Sequence, residues 1–254
     1  MPQTLDPPPQ AKKTTKPESQ TKNKKRSKLT ALLKFDSQVL KELSECCHLI
    51  GLDEVGRGSL ISSVVGGAVC IPRSLTREQK RLLTWLDDSK KLTPNIRAEL
   101  SEAIQSFCWT GIGEAEKHEV DEINVHYASL LALYRALSQL CSKVGLCLTT
   151  SELFLMMDGK AIIPDFSPDI QRAVIKGDGC SAAIAAASVI AKHHRDTMVK
   201  QLAVDYPAYQ WDVNMGYPTP AHLRGIREFG ITPLHRKNFK KVHEQLKLPL
   251  TEST

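Results

Sequence analysis

The chain has 254 residues, of which 41% are hydrophobic, and it carries a formal net charge of +6. A chain of this size buries a substantial core, as one domain or as two small ones. Its seven cysteines include no C-x-x-C pair, which argues against a disulfide scaffold or a zinc ribbon. No signal-peptide pattern opens the chain, and its longest small-apolar stretch, 182–191, is too short to span a membrane. We therefore expect a cytoplasmic protein.

Residues 1–28 differ in composition from everything that follows. They are rich in Pro, Lys, Gln and Thr, have almost no large apolar side chain, and are expected to be disordered. Eight basic and two acidic residues give this tail a charge of +6, equal to that of the whole chain, so the remainder is neutral. Such a tail adds salt-sensitive affinity for nucleic acid. A solvated extension without function and a nuclear signal at 24–26 are the alternatives.

Apolar runs and cap signals predict an alternation of strands and helices along the rest of the chain. The run 48–52 predicts a buried strand that ends in a glycine-rich loop, and further strands are predicted at 64–71, 109–113, 153–157 and 172–175. Helices are predicted at 93–107, 124–144, 181–204, from 219 onward, and at 237–247. This order indicates an α/β fold.

Four carboxylates lie where these predicted elements end. Asp53 and Glu54 follow the first strand, Asp158 follows the fourth, and Asp178 lies between two glycines just before the alanine-rich helix. Because side chains alternate along a strand, Asp53 and Glu54 point the same way only if the pleat breaks there. Oxygen ligands of this kind suit Mg²⁺. Taken singly, each acid is more simply a turn or capping residue, or a surface partner of Arg57.

Eight short motifs follow one another between residues 46 and 240. In order they are G-L-D-E-V-G-R-G at 51–58, D-S-K-K-L-T at 88–93, V-D-E-I-N at 120–124, M-D-G at 157–159, I-K-G-D at 175–178, A-A-A-S-V-I-A-K at 185–192, M-G-Y at 215–217 and P-L-H-R at 233–236. The ordered set resembles the ribonuclease HII family, the type 2 ribonucleases H. The resemblance implies a ribonuclease H-like α/β fold, a mixed five-stranded sheet flanked by helices. A catalytic core at 29–205 would precede a helical C-terminal extension at 206–254 that completes the substrate groove.

The resemblance also implies a chemistry. The family's catalytic, metal-binding carboxylates correspond to Asp53, Glu54, Asp158 and Asp178, with two Mg²⁺ or Mn²⁺ ions in the reacting complex. One ion holds the attacking water and the other stabilises the leaving oxygen. The implied partners are RNA–DNA hybrids and duplex DNA that contains single ribonucleotides. The implied reaction is incision 5′ of the ribonucleotide, which leaves 3′-hydroxyl and 5′-phosphate ends and serves ribonucleotide removal from DNA.

Residues that contact the substrate are implied in the same way. Gly56, Arg57 and Gly58 match the element that reads the 2′-hydroxyl, which separates RNA from DNA. Tyr217 matches a tyrosine that packs on the next deoxyribose, and we expect its ring in a solvent-facing loop, with a place in the core as the alternative. The remaining candidates lie near the substrate backbone in the family, or equally serve as caps, ion-pair partners or groove cations: Ser89, Lys90, Lys91, Lys176, Ser181, His222 and Arg236.

Two positions depart from the family pattern. Ser59 stands where many members have proline, and Cys180 replaces the usual lysine after the fourth acid. Losing a cation beside Asp178 is expected to weaken phosphate binding or to change the pKa of that acid. Separately, Lys192 and Asp196 lie four residues apart on a predicted helix, which favours a structural ion pair.

Two other functional classes fit parts of the sequence. A non-catalytic RNA–DNA hybrid-binding protein would share the fold, but the retention of all four acids argues against a dead site. A different Mg²⁺-dependent phosphotransfer enzyme would bind a nucleotide on the glycine-rich turn, yet no G-x-x-x-x-G-K-[ST] motif occurs. A monomer is expected. A sliding-clamp partner is unsupported, because 247–254 contains no docking peptide that we recognise.

Overall fold

Five strands form one mixed sheet in the order β3-β2-β1-β4-β5 in the computed structural model, which describes residues 18–45, 47–148 and 152–247. The strands are β1 (His48–Val55), β2 (Val64–Cys70), β3 (Trp109–Ala115), β4 (Leu153–Asp158) and β5 (Gln171–Val174). β2 runs antiparallel to β1 and β3, whereas β4 runs parallel to β1 and β5. This confirms the predicted mixed five-stranded sheet.

Helices flank the sheet, and three of them begin at predicted caps. They are α1 (Glu18–Lys41), α2 (Arg77–Leu82), α3 (Pro94–Phe107), α4 (Lys117–Val144), α5 (Ala182–Asp205), α6 (Trp211–Asn214), α7 (Pro220–Phe229) and α8 (Lys240–Lys247). The side chains of Thr93, Ser181 and Thr219 accept backbone N–H bonds at the starts of α3, α5 and α7. Among the described residues, no helix combines the length and apolarity that a membrane crossing needs.

The two faces of the sheet pack against different helices. Ile50 and Leu52 of β1 lie in a buried cluster with α4, whereas Leu49 lies in a buried cluster with α5. A Cβ at Gly51 would lie 2.1 Å from the carbonyl carbon of Ala183, so only glycine lets α5 pack this close to β1. Since side chains alternate along a strand, the odd-numbered positions of β1 face α5.

The N-terminal helix corrects the predicted extent of the disordered tail. α1 begins at Glu18, so residues 18–28 are helical, while 1–17 lie outside the described residues. Leu29 and Leu32 anchor the helix in a buried cluster that includes α5 residues, and Lys25 forms an ion pair with Asp87. The anchoring leucines begin just after the basic segment, so the composition of that segment does not indicate its helical structure.

The segment after α5 packs directly on the loop that follows β1. Trp211, Ile226 and Val242 share one buried cluster with Leu60 and Ile61 of that loop. The predicted helical extension is thus present as α6, α7 and α8. Its boundary at 205/206 stays a prediction, and 248–254 lie outside the described residues.

A buried acid lies against the start of α5. Asp36 of α1 is 6% exposed, and its Oδ2 accepts a hydrogen bond from the Ala183 amide at 2.9 Å. Among the described residues its Oδ1 has no hydrogen-bond partner. Burial raises the pKa of Asp36 to about 6, and the bond from Ala183 offsets only part of that effect. The ionised form of Asp36 therefore opposes folding.

Replacing Asp36 with asparagine should stabilise the protein at alkaline pH. In the unfolded chain the carboxyl loses its proton near pH 3.8, so the stability that it contributes at low pH is lost as pH rises from there through about 6. We expect Asp36→Asn to raise the free energy of unfolding by about 1–3 kcal/mol at about pH 8 and by little at about pH 4, as measured by urea denaturation. The exposed Asp212→Asn is the control. An equal effect of Asp36→Asn at both pH values would contradict the raised pKa.

Candidate active site

Two of the four predicted acids lie side by side on the α5 face of the sheet. Asp53 continues the odd-numbered face of β1. In β4, Met156 clusters with α5 residues, so Asp158, two positions further, points to the same face. β1 and β4 are parallel neighbours with Leu52 opposite Met157. The two carboxylates are therefore adjacent near the carboxyl ends of two paired strands.

Asp178 joins them from the turn that leads into α5. It lies in a 3-10 turn, Gly177–Gly179, directly before that helix. The Gly177 amide donates to Asp158 Oδ1 at 2.7 Å, which fixes the turn against the end of β4. Lys176, just before the turn, is exposed and has a left-handed backbone with φ of 57°. Of the four acids that were expected to converge, the structure thus places Asp158 beside Asp53 and Asp178 close enough for its charge to act on Asp53.

Glu54 is placed differently from the prediction. β1 does not end before Asp53 but continues through Val55, paired in register with β2. The predicted strand end is therefore wrong. Because the pleat does not break, Asp53 and Glu54 leave the strand on opposite faces. Glu54 is half-buried, and its Oε1 accepts a bond from Arg57 Nη1 at 2.9 Å. The ion pair with Arg57, which the sequence left open, is present.

The acids repel one another. Burial raises the pKa of Asp53 well above its usual value, and the charges of Glu54, Asp158 and Asp178 raise it further. Burial and the charge of Asp158 also raise the pKa of Asp178, while Lys90 acts in the opposite direction. Nearby like charges disfavour ionisation, so a cation placed among these carboxylates would relieve the repulsion.

The donor atoms suit a hard divalent cation, which prefers carboxylate oxygens. Within the ranges that the structure describes, however, no three His, Cys, Asp or Glu side chains are gathered closely enough to hold a metal ion. Two of the acids have other partners, since Glu54 is bonded to Arg57 and Asp158 to the Gly177 amide. The residues therefore fit the ion in charge and chemistry, and binding requires these carboxylates to turn from their present contacts.

The loop after β1 is held by a buried arginine. Arg236 is fully buried, and its guanidinium donates to the carbonyl oxygens of Gly56 at 2.8 Å, Ser59 at 2.9 Å, Ser62 at 2.8 Å and Ser63 at 2.9 Å. Burial lowers the pKa of Arg236 to about 9, so it remains charged at neutral pH. Its prediction as a substrate contact is wrong, because a fully buried side chain positions the loop instead.

Arg195 of α5 is a second buried support of the same loop. Its side chain is fully buried, and its Nε and Nη2 donate to the carbonyl groups of Ser63 and Ile61, both at 3.4 Å. Its Nη1 donates to the Met215 carbonyl at 3.1 Å, next to the Tyr217 turn. Gly56 has φ of 95°, a conformation that favours glycine, and a Cβ there would lie 2.3 Å from Arg195 Nε. Both the backbone conformation and the lack of space therefore require glycine at this position. The motifs did not assign a role to Arg195. Arg195 lies in the polar run 192–196, and nothing in that run distinguishes its buried side chain from the others.

Tyr217 lies beside the outer end of this loop. A Cβ at Gly58 would lie 3.6 Å from Tyr217 Cε1, and the ring is half-buried. Lys192 Nζ and Arg195 Cζ lie 5.7 Å and 6.0 Å from the ring centroid, within the range of cation–π attraction. The ring is therefore neither fully exposed nor in the core, and cations fix its position next to the exposed residues Arg57 and Gly58.

The D-S-K-K segment exposes its lysines and buries its serine. Ser89 is 2% exposed, and its hydroxyl shares a hydrogen bond with the Ser188 hydroxyl at 2.8 Å, so its prediction as a substrate contact is wrong. Lys90 and Lys91 are exposed. Although burial lowers the pKa of Lys90, the charge of Asp53 and of other nearby acids raises it overall. Lys90 therefore lies within the electrostatic field of the carboxylates.

Arg97 holds this segment in place. It is 7% exposed, its Nε and Nη2 donate to the Ser89 carbonyl at 3.2 Å and 3.0 Å, and its Nη1 donates to Asp196 at 2.9 Å. Asp196 also binds Lys192 at 2.7 Å, which confirms the predicted structural ion pair. Arg97 lies outside every motif on an amphipathic helix, and we find no sequence signal for its role.

The side chains of two further candidates are fully buried. Ser181 is fully buried and caps α5 by accepting a bond from the Ile184 amide at 3.2 Å. His222 is also fully buried. Its Nε2 accepts a bond from Trp211 Nε1 at 2.9 Å, and its Nδ1 bonds to the Tyr217 carbonyl at 3.0 Å. Their predictions as substrate contacts are wrong, and for Ser181 the alternative of a helix cap is correct.

The contacts of His222 and His235 assign a neutral form to both rings. The Thr232 amide donates to His235 Nδ1 at 2.9 Å, so the proton of His235 is on Nε2, which lies 3.2 Å from His222 Nε2. Burial lowers the pKa of His235 to about 3 and lowers the pKa of His222 as well. A neutral histidine pair therefore supports the base of the Tyr217 turn.

The contribution of His235 to stability should be lost in mild acid. Its pKa is depressed in the folded protein, so the stability present above its unfolded value of 6.5 falls as pH decreases toward 3. We expect the destabilisation caused by His235→Gln, measured by urea denaturation, to shrink by about 1 kcal/mol per pH unit below 6.5. The exposed His243→Gln is the control. A difference that stays constant with pH would contradict the buried neutral pair.

The two departures from the family pattern have different surroundings. Ser59 is fully buried, and its hydroxyl bonds to the Ile61 amide and carbonyl at 3.3 Å and 3.2 Å. Cys180 is exposed just after the Asp178 turn. Positive charge beside Asp178 comes from Lys90, which partly offsets the missing lysine at position 180.

Comparisons with known proteins agree with the motifs. The family model for ribonuclease HII matches residues 50–242. A ribonuclease HII from Parabacteroides distasonis is 41% identical over 201 residues, which cover 78% of this chain and 92% of that protein. The structure of the PCNA:RNase HII complex from Archaeoglobus fulgidus matches with a TM-score of 0.59 at 23% identity, over 80% of this chain and 98% of that one. A Bst-RNase HIII in complex with Mn²⁺ matches with a TM-score of 0.60 at 18% identity, over 79% and 70%. The chain therefore belongs to the ribonuclease HII family, a family of ribonucleases.

Proposed function

We propose that the protein is a metal-dependent endonuclease that hydrolyses the RNA strand of RNA–DNA hybrids. It also incises duplex DNA 5′ of single ribonucleotides and leaves 3′-hydroxyl and 5′-phosphate ends, and so contributes to ribonucleotide removal from DNA. The observation that carries the proposal is the arrangement of three aspartates: Asp53 in β1, Asp158 at the end of the paired strand β4, and Asp178 in the turn bonded to Asp158. The loop 56–58 that follows β1, which we call the G-R-G loop, leaves the sheet beside them. A cytoplasmic location and a monomeric state stay predictions, and no clamp partner is proposed.

In this proposal the carboxylates bind the metal ions and the exposed lysines bind the phosphates. Asp53, Glu54, Asp158 and Asp178 would hold Mg²⁺ or Mn²⁺, and two such ions when bound supply an activated water and charge for the leaving oxygen. Lys90 and Lys91 are exposed next to the acids, where they bind and orient the backbone phosphates. Arg57, whose present partner is Glu54, binds a phosphate when that carboxylate turns to a metal.

The G-R-G loop and Tyr217 read the sugar. Gly58 is exposed and has no Cβ, so a ribose can approach the loop backbone closely enough for its 2′-hydroxyl to form a hydrogen bond. The neighbouring Tyr217 ring packs against the next sugar. Arg195 and Arg236 fix the loop before the substrate arrives, and a fixed geometry lowers the entropic cost of the reaction.

Cleavage of a labelled DNA duplex with one embedded ribonucleotide tests the proposal. We expect a single incision 5′ of the ribonucleotide in Mg²⁺, with a product that a DNA polymerase can extend from its 3′-hydroxyl. An all-DNA duplex and the Asp53→Asn variant are the controls and should remain uncut. Tight binding without incision in either Mg²⁺ or Mn²⁺ would instead support the non-catalytic alternative.

A further inference from the structure

A surface groove with a basic rim lies between α1 and α2. It has a volume of about 1120 Å³, and Trp85 forms part of its apolar wall. Five basic residues and one acid line the rim, namely Arg26, Lys34, Arg77, Lys80, Arg81 and Glu78. We call this feature the α1–α2 groove. Its α1 side lies outside the residues that match the family model, which begin at 50.

Most of the positive charge of the groove is unpaired. Glu78 is bound to Arg81 at 2.6 Å. Arg26, Lys34, Arg77 and Lys80 are exposed and form no ion pair with any acid in the described part of the chain. A concave surface with an excess of one charge attracts a ligand of the opposite charge, and the apolar wall adds contact area. The ligand that fits is therefore a polyanion with an apolar component.

Contacts through Asp87 link the Trp85 end of the groove to the D-S-K-K segment. Lys25 Nζ lies 5.8 Å from the Trp85 ring centroid and 3.3 Å from Asp87 Oδ2, and Lys91 Nζ lies 3.8 Å from the other oxygen of Asp87. Asp87 directly precedes the D-S-K-K segment, whose Lys90 lies in the field of the carboxylates. A polyanion that binds the exposed lysines of this segment can thus extend along the α1–α2 groove.

We propose that the α1–α2 groove binds the sugar–phosphate backbone of the nucleic acid beyond the site of incision. The inference rests on the proposed function and extends it to a second contact with the same substrate. The chain's own residues 1–17 do not complement the groove, because they carry three lysines and one acid. An acidic protein segment would match the charge alone, but the contacts that link the groove to the D-S-K-K segment, where Lys90 and Lys91 are exposed, favour the substrate.

Charge reversal in the groove tests the inference. Duplexes of about 12 and about 36 base pairs, each with one ribonucleotide, are compared for Arg77→Glu/Lys80→Glu, with binding measured without divalent ions over a range of salt. We expect about tenfold weaker binding of the long duplex and a log–log salt slope smaller in magnitude by about 2. Incision of the short duplex should be unchanged. The control is Lys143→Glu, an exposed position on α4 across the sheet, and it should bind both duplexes like the wild type.

The outcomes separate the groove from the catalytic site. If the wild-type protein cuts neither duplex, the proposed function fails whatever the groove does. If the wild type cuts both and the double variant binds the long duplex as tightly as the wild type, the inference is overturned and an acidic protein partner becomes the better candidate. Lys143→Glu changes the net charge by half as much as the double variant. If its loss in log affinity were half as large or more, the inference would also be overturned, because the effect would then come from net charge. Thermal unfolding of both variants checks that each remains folded.

Discussion

Replacing Arg236 with methionine should destabilise the protein and abolish incision. The guanidinium donates to the carbonyl groups of Gly56, Ser59, Ser62 and Ser63, and methionine removes that donor from all four. Gly56 then keeps only the bond from the Ser59 amide, and Ser63 keeps only the bond from Arg195. Removing one partner from a buried, charge-assisted network costs about 3–5 kcal/mol. We expect a loss of that order in the free energy of unfolding by urea denaturation. Incision of the ribonucleotide duplex should be lost even where the variant remains folded, because the G-R-G loop is no longer fixed.

The conservative Arg236→Lys variant separates charge from geometry. Lysine keeps the charge, but its three donors do not match the planar fork that reaches four carbonyl groups. It should therefore recover only part of the stability and little of the incision rate. The exposed Arg227→Met on α7 is the matched control and should behave like the wild type. Wild-type incision by Arg236→Lys would show that the buried charge matters and that the loop geometry does not.

The sequence predicted the elements that have strong local signals. Apolar runs predicted the five strands, because buried strands consist mainly of apolar residues. The capping residues Thr93, Ser181 and Thr219 predicted where three helices begin. The arrangement of Asp53, Asp158 and Asp178 also depends on the strand order, which no local pattern in the sequence specifies. Local patterns specify where an element begins, whereas the neighbours of an element depend on the whole fold.

The sequence could not predict which polar motif residues face solvent. Ser89 and Arg236 belong to motifs just as Lys90 does, yet the first two are buried and only the lysine is exposed. The supports Arg97 and Arg195 bind main-chain carbonyl groups, and such bonds leave no pattern in the sequence because every residue has a carbonyl. The helical structure of 18–28 was also missed, because its contacts are to residues far away in the chain, such as the ion pair of Lys25 with Asp87.

Replacing Asp53 with asparagine should abolish incision and at the same time stabilise the protein without divalent ions. Asp53 is 7% exposed, and burial together with three neighbouring acids raises its pKa well above the usual value. A carboxyl with a raised pKa costs stability once pH exceeds its unfolded value, so a neutral amide removes that cost at neutral pH. Loss of a metal-binding carboxylate should lower the incision rate by more than about a hundredfold, since even outer partners of such ligands contribute about 10–100-fold.

Urea unfolding with and without Mg²⁺ distinguishes a metal-binding role of Asp53 from a role in holding the folded structure together. In a chelator, Asp53→Asn should require more urea to unfold than the wild type. Added Mg²⁺ should stabilise the wild type, because a ligand that binds only the folded state shifts the equilibrium toward it, and should stabilise the variant less. The exposed Asp212→Asn should match the wild type in both conditions. If Asp53→Asn were less stable than the wild type in the chelator, the carboxylate would be holding a structural contact, and the mutual repulsion assigned to the four acids would be wrong.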